Sequence, residues 1–331
     1  MASGLLHSQY LHGVHSVKSV YAANKPLWVH VIDGDYALWV DVGIDRTPAE
    51  VVMPYLVKHA PALWARPQVA LITHADVDHF GGLRWIRQRR ADFLVLAHGA
   101  DKAWIESPAR VMRERYEMHL ADGFALTAER QAALNERGGG GGKVDVSLRG
   151  GEALDLGPGG IWRVLHTPGH SAGHLTLWCA ERRCAIIGDA ALDWGVPDDT
   201  GKLIAPPPYY DVDAYLGALD TLERLGAETM FTSHYGILDW EQAARLIRNS
   251  RDAVGRLESA VLAALREHPT GLTLAEMCTQ AGERAGHWEK SLWPALNDPI
   301  SAHLARAMAA GHVRVSDERG RRSYRWLPDA G

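Results

Sequence analysis

The residues best suited to chemistry lie in one short segment, where four side chains of metal-binding type occur within six positions. Segment 74–79 reads His-Ala-Asp-Val-Asp-His and directly follows an apolar run typical of a buried strand. The four side chains are His74, Asp76, Asp78 and His79. Imidazole and carboxylate groups bind divalent zinc, iron and manganese in proteins. The spacing therefore predicts a metal site, in a chain with 17 histidines among 331 residues.

Three more side chains of these two types occur later, each where a predicted strand ends. They are His170, Asp189 and His234. Strand ends are where α/β layered proteins commonly carry their chemistry, and one sheet edge can bring such residues together. Any single one of them is more often structural, so the prediction depends on the joint pattern. His166 and His174, on either side of His170, fit a supporting role better than direct metal binding.

The elements that must position these residues indicate an α/β domain. The predicted strands are 27–32, 36–40, 69–73, 93–97, 160–166, 175–179, 184–188 and 229–232. Helical patterns alternate with them, which is typical of a layered α/β fold. Residues 101–142 break this rhythm with two predicted helices and a run of five glycines. We interpret this segment as a helical insertion that acts as a lid, with the glycine run as a flexible joint.

The last part of the chain has a different character. Two predicted helices, 273–280 and 300–310, precede a hairpin around Gly320. We therefore predict a catalytic domain over 1–267 and a winged-helix-like α+β unit over 268–331. The hairpin is basic, with Arg314, Arg319, Arg321, Arg322 and Arg325. Winged helices often bind DNA, but the chain carries a net charge of −5, so we favour a stabilising or homodimer contact and expect no nucleic-acid partner.

Composition excludes several classes of protein. Hydrophobic residues make up 47% and charged residues 23% of the chain, as in soluble globular proteins. No apolar run approaches the 18 residues of a membrane span, and the first ten residues lack the pattern of a signal peptide. The three cysteines have neither disulfide-framework nor zinc-finger spacing. We expect a cytoplasmic protein with no membrane partner.

The ordered motifs resemble the metallo-β-lactamase-fold hydrolase superfamily. The matching pieces are HxDxDH at 74–79, H-T-P-G-H ending at His170, Gly188-Asp189, and S-H-Y-G at 233–236. The resemblance covers about residues 27 to 235. It implies a four-layer αβ/βα sandwich with two divalent metals between the sheet edges.

The resemblance also implies how the ligands divide. Carried over by position, the first metal would be held by His74, Asp76 and His170. The second would be held by Asp78, His79 and His234. Asp189 would bridge the two ions.

Asp76 departs from the family pattern, because most members have histidine there. With three carboxylates, four neutral histidines, two divalent ions and a bridging hydroxide, the site would carry roughly zero net charge, whereas a histidine would leave about +1. The extra carboxylate favours harder ions such as iron or manganese, although zinc also accepts carboxylate oxygen. We therefore expect Asp76→His to keep two metals and to shift the metal preference toward zinc.

The reaction implied is hydrolysis by a hydroxide shared between the two metals, which attacks a carbonyl carbon. Asp78 is the predicted catalytic residue, orienting the nucleophile while binding metal. The predicted substrate is an ester, thioester or lactone of a small, partly apolar molecule. The candidates for substrate contact are Tyr209, Tyr210, Tyr235 and Trp194. The insertion arginines Arg110, Arg113 and Arg115 are interpreted as solvated helix charges.

Two alternatives remain open. A carboxylate at position 76 also occurs in flavodiiron-type members of the superfamily, as glutamate, which suggests a diiron redox protein. No flavodoxin-like domain follows the core in this sequence, which argues against it. The arginine-rich hairpin suggests a nucleic-acid-processing member as a second alternative.

Replacing Asp78 by alanine should abolish hydrolysis, because the variant loses both a metal ligand and the group that orients the nucleophile. The measurement is turnover of a chromogenic ester, thioester or lactone by wild type and variant at equal metal content. Retained turnover in Asp78→Ala would refute the role assigned to this residue.

Overall fold

Two β-sheets form the middle of the molecule, as seen in a computed structural model that describes residues 8–318 and 321–327. The first sheet has seven strands in sequence order: β1 (Gln9–Leu11), β2 (Val14–Tyr21), β3 (Lys25–Asp33), β4 (Ala37–Val40), β5 (Gln68–Ile72), β6 (Leu94–His98) and β7 (Val146–Leu148). Strands β1 to β4 pair antiparallel, and β4 to β7 pair parallel. The predicted hairpin at 27–40 is confirmed as β3–β4. Strands β1 and β2 were not predicted, because their polar residues mask the strand pattern.

Ten further strands follow β7 in the described residues, and six of them form the second sheet. In chain order these strands are β8 (Ala153–Asp155), β9 (Ile161–His166), β10 (Leu175–Cys179), β11 (Cys184–Gly188), β12 (Val196–Pro197), β13 (Leu203–Ala205), β14 (Thr229–Thr232), β15 (Ile237–Asp239), β16 (Val313–Glu318) and β17 (Arg321–Trp326). The sheet order is β15-β14-β11-β10-β9-β8, and only the β11–β14 pair is parallel. Strands β12–β13 and β16–β17 form two separate antiparallel pairs.

Helices cover the outer faces of both sheets. The α-helices are α1 (Met53–His59), α2 (Val77–Phe80), α3 (Leu83–Arg87), α4 (Gly99–Glu106), α5 (Pro108–Val111), α6 (Ala128–Arg137), α7 (Val212–Leu225), α8 (Trp240–Glu267), α9 (Leu274–Ala285) and α10 (Asn297–Ala309). Among the described residues, no helix combines the length and the apolar character needed to cross a membrane.

Buried apolar side chains show that the layers are stacked as αβ/βα. Ile32 and Leu71 of the first sheet pack with Leu177 of the second in the core between the sheets. Helices α1 and α3 cover the outer face of the first sheet, and α7 and the first half of α8 cover that of the second. The four-layer α/β sandwich is therefore confirmed. Apolar burial of both faces of each sheet holds the strand ends in register.

The insertion at 101–142 is packed onto the core rather than held loosely above it. Ile105, Val111 and Leu134 are buried in the core of the first helical layer. The second predicted helix is α6, but the first is broken into α5, a wide turn at Met112–Tyr116 and a 3₁₀ turn at Leu120–Asp122.

The glycine run at 138–142 is a close-packed contact, so the expectation of a flexible joint is wrong. A Cβ atom on Gly139 would lie 2.3 Å from the carbonyl oxygen of Gly81. A Cβ on Gly81 would in turn lie 2.0 Å from the carbonyl oxygen of Arg137. Only residues without side chains allow the two backbones to come this close.

The C-terminal part consists of α9, α10 and the β16–β17 hairpin, as the predicted order of helices and hairpin requires. Its core includes the second half of α8, where Leu257 and Leu265 pack with Met277 and Ile300. Because α8 belongs to both cores, the domain boundary at residue 267 and the winged-helix assignment stay predictions. Arg319 and the turn residue Gly320 lie outside the described residues.

Replacing Gly81 by alanine should lower the free energy of unfolding by about 1–3 kcal/mol, because the new methyl group meets backbone atoms that have no room to move. Gly217, in the middle of α7, is the matched control, because a Cβ there meets no atom within 4 Å. Gly217→Ala should stabilise the protein by up to about 1 kcal/mol. Denaturant unfolding of both variants measures the difference, and equal stabilities would contradict the packing described.

Candidate metal centre

Four loops that follow strands bring the seven predicted ligands to one edge of the sandwich. His74 and Asp76 lie in the turn after β5, and the single turn of α2 carries Asp78 and His79. His170 lies between β9 and β10, Asp189 directly follows β11, and His234 follows β14. All seven side chains except Asp76 are buried, and Asp76 is half-buried.

The ligand atoms of these residues form three overlapping groups, each within a sphere suited to one metal ion. The Oδ2 atom of Asp76 lies 3.4 Å from His74 Nε2 and 3.1 Å from His170 Nε2. Metal–ligand bonds of about 2.0–2.1 Å in a tetrahedral site give ligand–ligand distances of about 3.4 Å. The first group therefore has the dimensions of a metal site.

Asp189 lies between the ligand group that contains Asp76 and the ligand group that contains Asp78. Its Oδ2 atom is 3.2 Å from His234 Nε2, 3.7 Å from His79 Nε2, 3.9 Å from His170 Nε2 and 4.0 Å from His74 Nε2. The Oδ2 atom of Asp78 is 3.8 Å from His234 Nε2 and 4.0 Å from His79 Nε2. Asp189 Oδ2 thus lies within 4.0 Å of the Nε2 atoms of all four histidines.

Each histidine is oriented by a hydrogen bond on the side away from the cluster. The Nδ1 atoms of His79, His170 and His234 donate to Asp41 Oδ2, the Pro208 carbonyl and the Pro26 carbonyl, at 2.8, 2.6 and 2.8 Å. His74 Nδ1 lies 3.0 Å from the hydroxyl oxygen of Thr73. Such outer contacts set the tautomer and leave Nε2 as the lone-pair donor.

The inward-facing atoms of the centre fit metal ions. Among the described residues, the Nε2 atoms of His74, His79 and His234 and the Oδ1 atom of Asp189 are buried and have no hydrogen-bond partner. Buried polar atoms without partners destabilise a fold, and nearly all are satisfied in native proteins. A set of converging imidazole lone pairs and carboxylates is satisfied by divalent cations.

Burial and local charges give the neighbouring rings of His74 and His79 very different pKa values. Burial and the neighbouring His79 and His170 lower the pKa of His74 to about 4. Burial opposes the charged form of His79 as well, but Asp41 and Asp189 raise its pKa to about 10. Because metal ligation needs neutral imidazole, an ion at His79 must displace a proton.

Asp41 is a supporting residue that the sequence analysis missed. Its carboxylate accepts hydrogen bonds from the Thr73 N–H at 2.7 Å, the Thr73 hydroxyl at 2.8 Å and His79 Nδ1 at 2.8 Å. Its backbone has φ of +62°, a left-handed conformation that aspartate tolerates better than most residues. A carboxylate directly after strand β4 was the available signal, the same signal that identified Asp189.

Asp101, the first buried polar residue of the insertion, joins two of the ligand loops. It accepts hydrogen bonds from the Ala75 N–H at 2.9 Å, the Ser171 hydroxyl at 2.7 Å and the Gly173 N–H at 2.8 Å. The insertion therefore ties the His74 loop to the His170 loop. No spacing in the sequence indicated this role.

His174 has the supporting position expected for it. Its Nε2 atom accepts the backbone N–H of Asp189 at 3.1 Å, and its Nδ1 atom pairs with the Thr167 hydroxyl at 2.9 Å. Burial holds the pKa of His174 well below its usual value, so the ring is neutral.

Two residues of the β2–β3 hairpin bind Asp78 and were also missed. The Tyr21 hydroxyl donates to Asp78 Oδ2, and Lys25 Nζ lies 3.0 Å from the same oxygen. Burial opposes ionisation of Asp78, but Lys25 and the adjacent His79 and His234 hold its pKa well below the usual range. Asp78 is therefore a carboxylate at neutral pH.

The structure corrects the interpretation of Arg115 as a solvated helix charge. Arg115 is 3% exposed, and its guanidinium forms a two-bond ion pair with Asp76, from Nε to Oδ1 and from Nη2 to Oδ2, both at 2.9 Å. Including this cation raises the net charge of the site by one, to the value of about +1 expected with histidine at position 76. The pair offsets the charge part of the argument for harder ions, and the metal preference stays a prediction.

All four predicted substrate contacts are engaged within the protein, three of them away from the ligand cluster. The Tyr209 hydroxyl pairs with His303 Nε2 at 2.8 Å, and the Tyr235 hydroxyl donates to the carbonyls of Leu192 and Gly195. Trp194 stacks on a histidine of the C-terminal part, with ring centroids 3.9 Å apart.

These three aromatic residues anchor loops and the C-terminal part, and their contact with a substrate stays a prediction. Tyr210 alone of the four contacts a residue of the centre, because the Arg115 guanidinium carbon lies 4.0 Å from its ring centroid.

Comparisons with known proteins agree with this geometry. The family model of the metallo-beta-lactamase superfamily matches residues 27–234. The human protein acyl-coenzyme A thioesterase MBLAC2 is 27% identical over 194 residues, which cover 56% of this chain and 62% of the human protein. The match thus spans less than two thirds of that relative.

Solved structures share the fold over almost the whole chain. Metallo-beta-lactamase family protein TTHA1429 from Thermus thermophilus superposes with a TM-score of 0.72 at 20% identity, covering 96% of this chain and 99% of that one. A beta-lactamase domain protein from Burkholderia ambifaria gives a TM-score of 0.70 at 19% identity, covering 96% and 93%. At these identities the similarity shows the fold alone.

Replacing Asp41 by asparagine should weaken metal binding by about 10- to 100-fold, because the neutral amide cannot accept all three hydrogen bonds and makes His79 a weaker ligand. Asparagine tolerates the left-handed backbone, so the variant should fold. Competition with a chromogenic chelator measures the affinity. Asp92→Asn, at a carboxylate that is 62% exposed, is the control and should bind metal like wild type. Equal affinity in Asp41→Asn would contradict the supporting role.

Proposed function

Because the chain belongs to the metallo-beta-lactamase superfamily, we propose that it is a metal-dependent hydrolase with two divalent ions at the described centre. The first ion would be held by His74, Asp76 and His170. The second would be held by Asp78, His79 and His234. Asp189 would bind both ions through its central carboxylate. When bound, the two ions would supply Lewis acidity and a hydroxide nucleophile at neutral pH.

The observation that carries this proposal is the set of inward-facing histidine nitrogen atoms. Three buried histidine Nε2 atoms without hydrogen-bond partners converge on one carboxylate, Asp189, while each ring is held from behind by an oxygen atom. A purely structural cluster would pair these nitrogens with protein donors or acceptors. The arrangement is that of ligands oriented before the ion arrives.

The residues around Asp78 support its proposed catalytic role. Tyr21 and Lys25 both contact Oδ2 of Asp78, which restricts the carboxylate to one orientation. Burial and the Asp78 charge raise the pKa of Tyr21 well above its usual value, so its hydroxyl keeps its proton. Tyr21 and Lys25 therefore offer donors that can hold a nucleophile-orienting carboxylate in place.

A cavity of about 330 Å³ lies beside Tyr21 and suggests the side from which substrate approaches. Two arginines, Arg46 and Arg137, line it together with three carboxylates, Asp45, Glu50 and Glu136. The guanidinium carbon of Arg137 lies 5.6 Å from the centroid of the Tyr21 ring. We propose that a small-molecule substrate enters here and reaches the centre past Tyr21.

A thioester is the substrate class that we favour among ester, thioester and lactone. The support is the name of the human relative, an acyl-coenzyme A thioesterase, although the match covers 62% of that protein. Ile105, Val111 and Leu134 of the insertion pack in the core, whereas Met118 and Leu120 are exposed, so the apolar residues of the insertion give no independent support for an acyl pocket.

The geometry of the centre and of the hairpin weakens the support for the two alternatives, a diiron redox protein and a nucleic-acid-processing protein. Arg115 neutralises the carboxylate that motivated a diiron redox protein. On the hairpin, Arg322 and Tyr324 both contact Asp122 of the insertion, so these side chains serve a contact within the chain. We therefore propose no nucleic-acid partner. A cytoplasmic location and a homodimer remain predictions.

Removal of metal with a chelator should abolish thioester hydrolysis, and re-addition of zinc, iron(II) or manganese should restore it, because the nucleophile depends on bound cations. Elemental analysis of protein purified without added metal identifies the resident ions. A panel of acyl-thioesters, esters and lactones then ranks the substrate classes.

Two histidine variants give the matched comparison. His79→Ala should lose metal and activity, whereas His59→Ala, on the exposed side of α1, should retain both. A protein that binds no metal, or that hydrolyses none of the panel with metal bound, would contradict the proposed function. Iron with oxygen consumption and no hydrolysis would support the redox alternative.

A further inference from the structure

We propose that Arg115 and Asp76 act together as one neutral unit at the metal centre, and that the C-terminal part of the chain holds this unit in place. This inference rests on the proposed function, since it concerns how the first metal is bound. Arg115 is a positioning residue, because it acts through Asp76. Tyr210 and Asp298 complete the support.

The geometry of Asp76 is fixed from several directions. Arg115 engages both carboxylate oxygens at 2.9 Å, and the Tyr116 hydroxyl lies 3.3 Å from Oδ1. The same hydroxyl accepts the backbone N–H of Val77 at 2.9 Å. These contacts aim Oδ2 at His74 and His170, the other two residues of the first metal group.

Arg115 is itself tied to the ligand loops. Its Nη1 atom donates to the backbone carbonyl of His170 at 3.1 Å. A planar guanidinium with all three nitrogens engaged has one orientation, which lysine could not reproduce. The arginine therefore couples the position of Asp76 to that of the His170 loop.

Support for the guanidinium comes from Tyr210, just before α7, and through it from the C-terminal part of the chain. The Tyr210 ring packs against the guanidinium of Arg115 at 4.0 Å, and the Tyr210 hydroxyl donates to Asp298 Oδ2 at 3.0 Å. Asp298 is in the first turn of α10, and its Oδ1 atom lies 2.8 Å from His119 Nε2 of the insertion. A contact path thus leads from α10 to Asp76.

The charges explain why the two residues must be considered together. A lone carboxylate at position 76 would reduce the net positive charge of the centre, whereas the Arg115–Asp76 pair contributes none. The pair would leave the centre with the charge it has when a neutral histidine occupies position 76. Removing one member of a buried ion pair leaves the other charge uncompensated.

The expectation for Asp76→His changes accordingly. That single substitution leaves the buried Arg115 cation beside the metal without its partner. We expect it to lose the first metal. Asp76→His combined with Arg115→Met removes both charges, and this double variant should regain two ions per chain.

The experiment measures metal stoichiometry and affinity in the full chain with zinc and with cobalt(II), whose absorption spectrum reports the coordination of each ion. Arg115→Met should lower the affinity for one of the two ions by about 10- to 100-fold. It should also change the absorption spectrum of the cobalt ion bound at that position. Tyr210→Leu should lower the affinity for the same ion. Arg113→Met, two residues away with a side chain that is 67% exposed, is the control and should leave both ions unchanged.

The outcomes separate this inference from the proposed function. A wild-type chain that binds no metal would contradict the proposed function itself. Two tightly bound ions in both wild type and Arg115→Met would overturn the inference and leave the function standing. Should Arg115→Met fail to fold, the double variant decides, because binding no better than in Asp76→His would also overturn the pairing.

Discussion

The structure depends on one constraint: four histidine rings must direct their Nε2 atoms into a buried interior, where among the described residues three of them have no hydrogen-bond partner. This arrangement is stable only when each ring is held from its outer side, and an oxygen atom within hydrogen-bonding distance of each Nδ1 atom does so. The oxygens come from strand ends, a proline-rich loop and the β2–β3 hairpin. Much of the surrounding fold therefore serves to hold four rings.

The parts of the chain outside the two sheets contribute to the same centre. The insertion supplies Asp101, which joins two ligand loops, and Arg115, which neutralises Asp76. The C-terminal part reaches the centre through Tyr210 and Asp298. The segment that the sequence suggests is a lid thus contacts the centre directly, and Ile105, Val111 and Leu134 pack it on the core.

Prediction from sequence succeeded where the signal was local. The β3–β4 hairpin, α6 and the strands that precede the ligands follow from alternating or continuous apolar runs and turn residues. Strand β2 was missed because polar residues such as Ser16 are buried in it. The flexible-joint interpretation of residues 138–142 was wrong because glycine also permits close backbone packing, and composition does not distinguish the two uses.

The sequence by itself determined the superfamily, the layered fold and the set of candidate ligands, because motif order and strand-end position are properties of the chain. Only the tertiary structure decided the electrostatics of the centre. Arg115 is 39 residues from Asp76, and the Tyr21 and Lys25 contacts with Asp78 span 57 and 53 residues. Charge compensation depends on distance in space and on burial, and neither is encoded in local spacing.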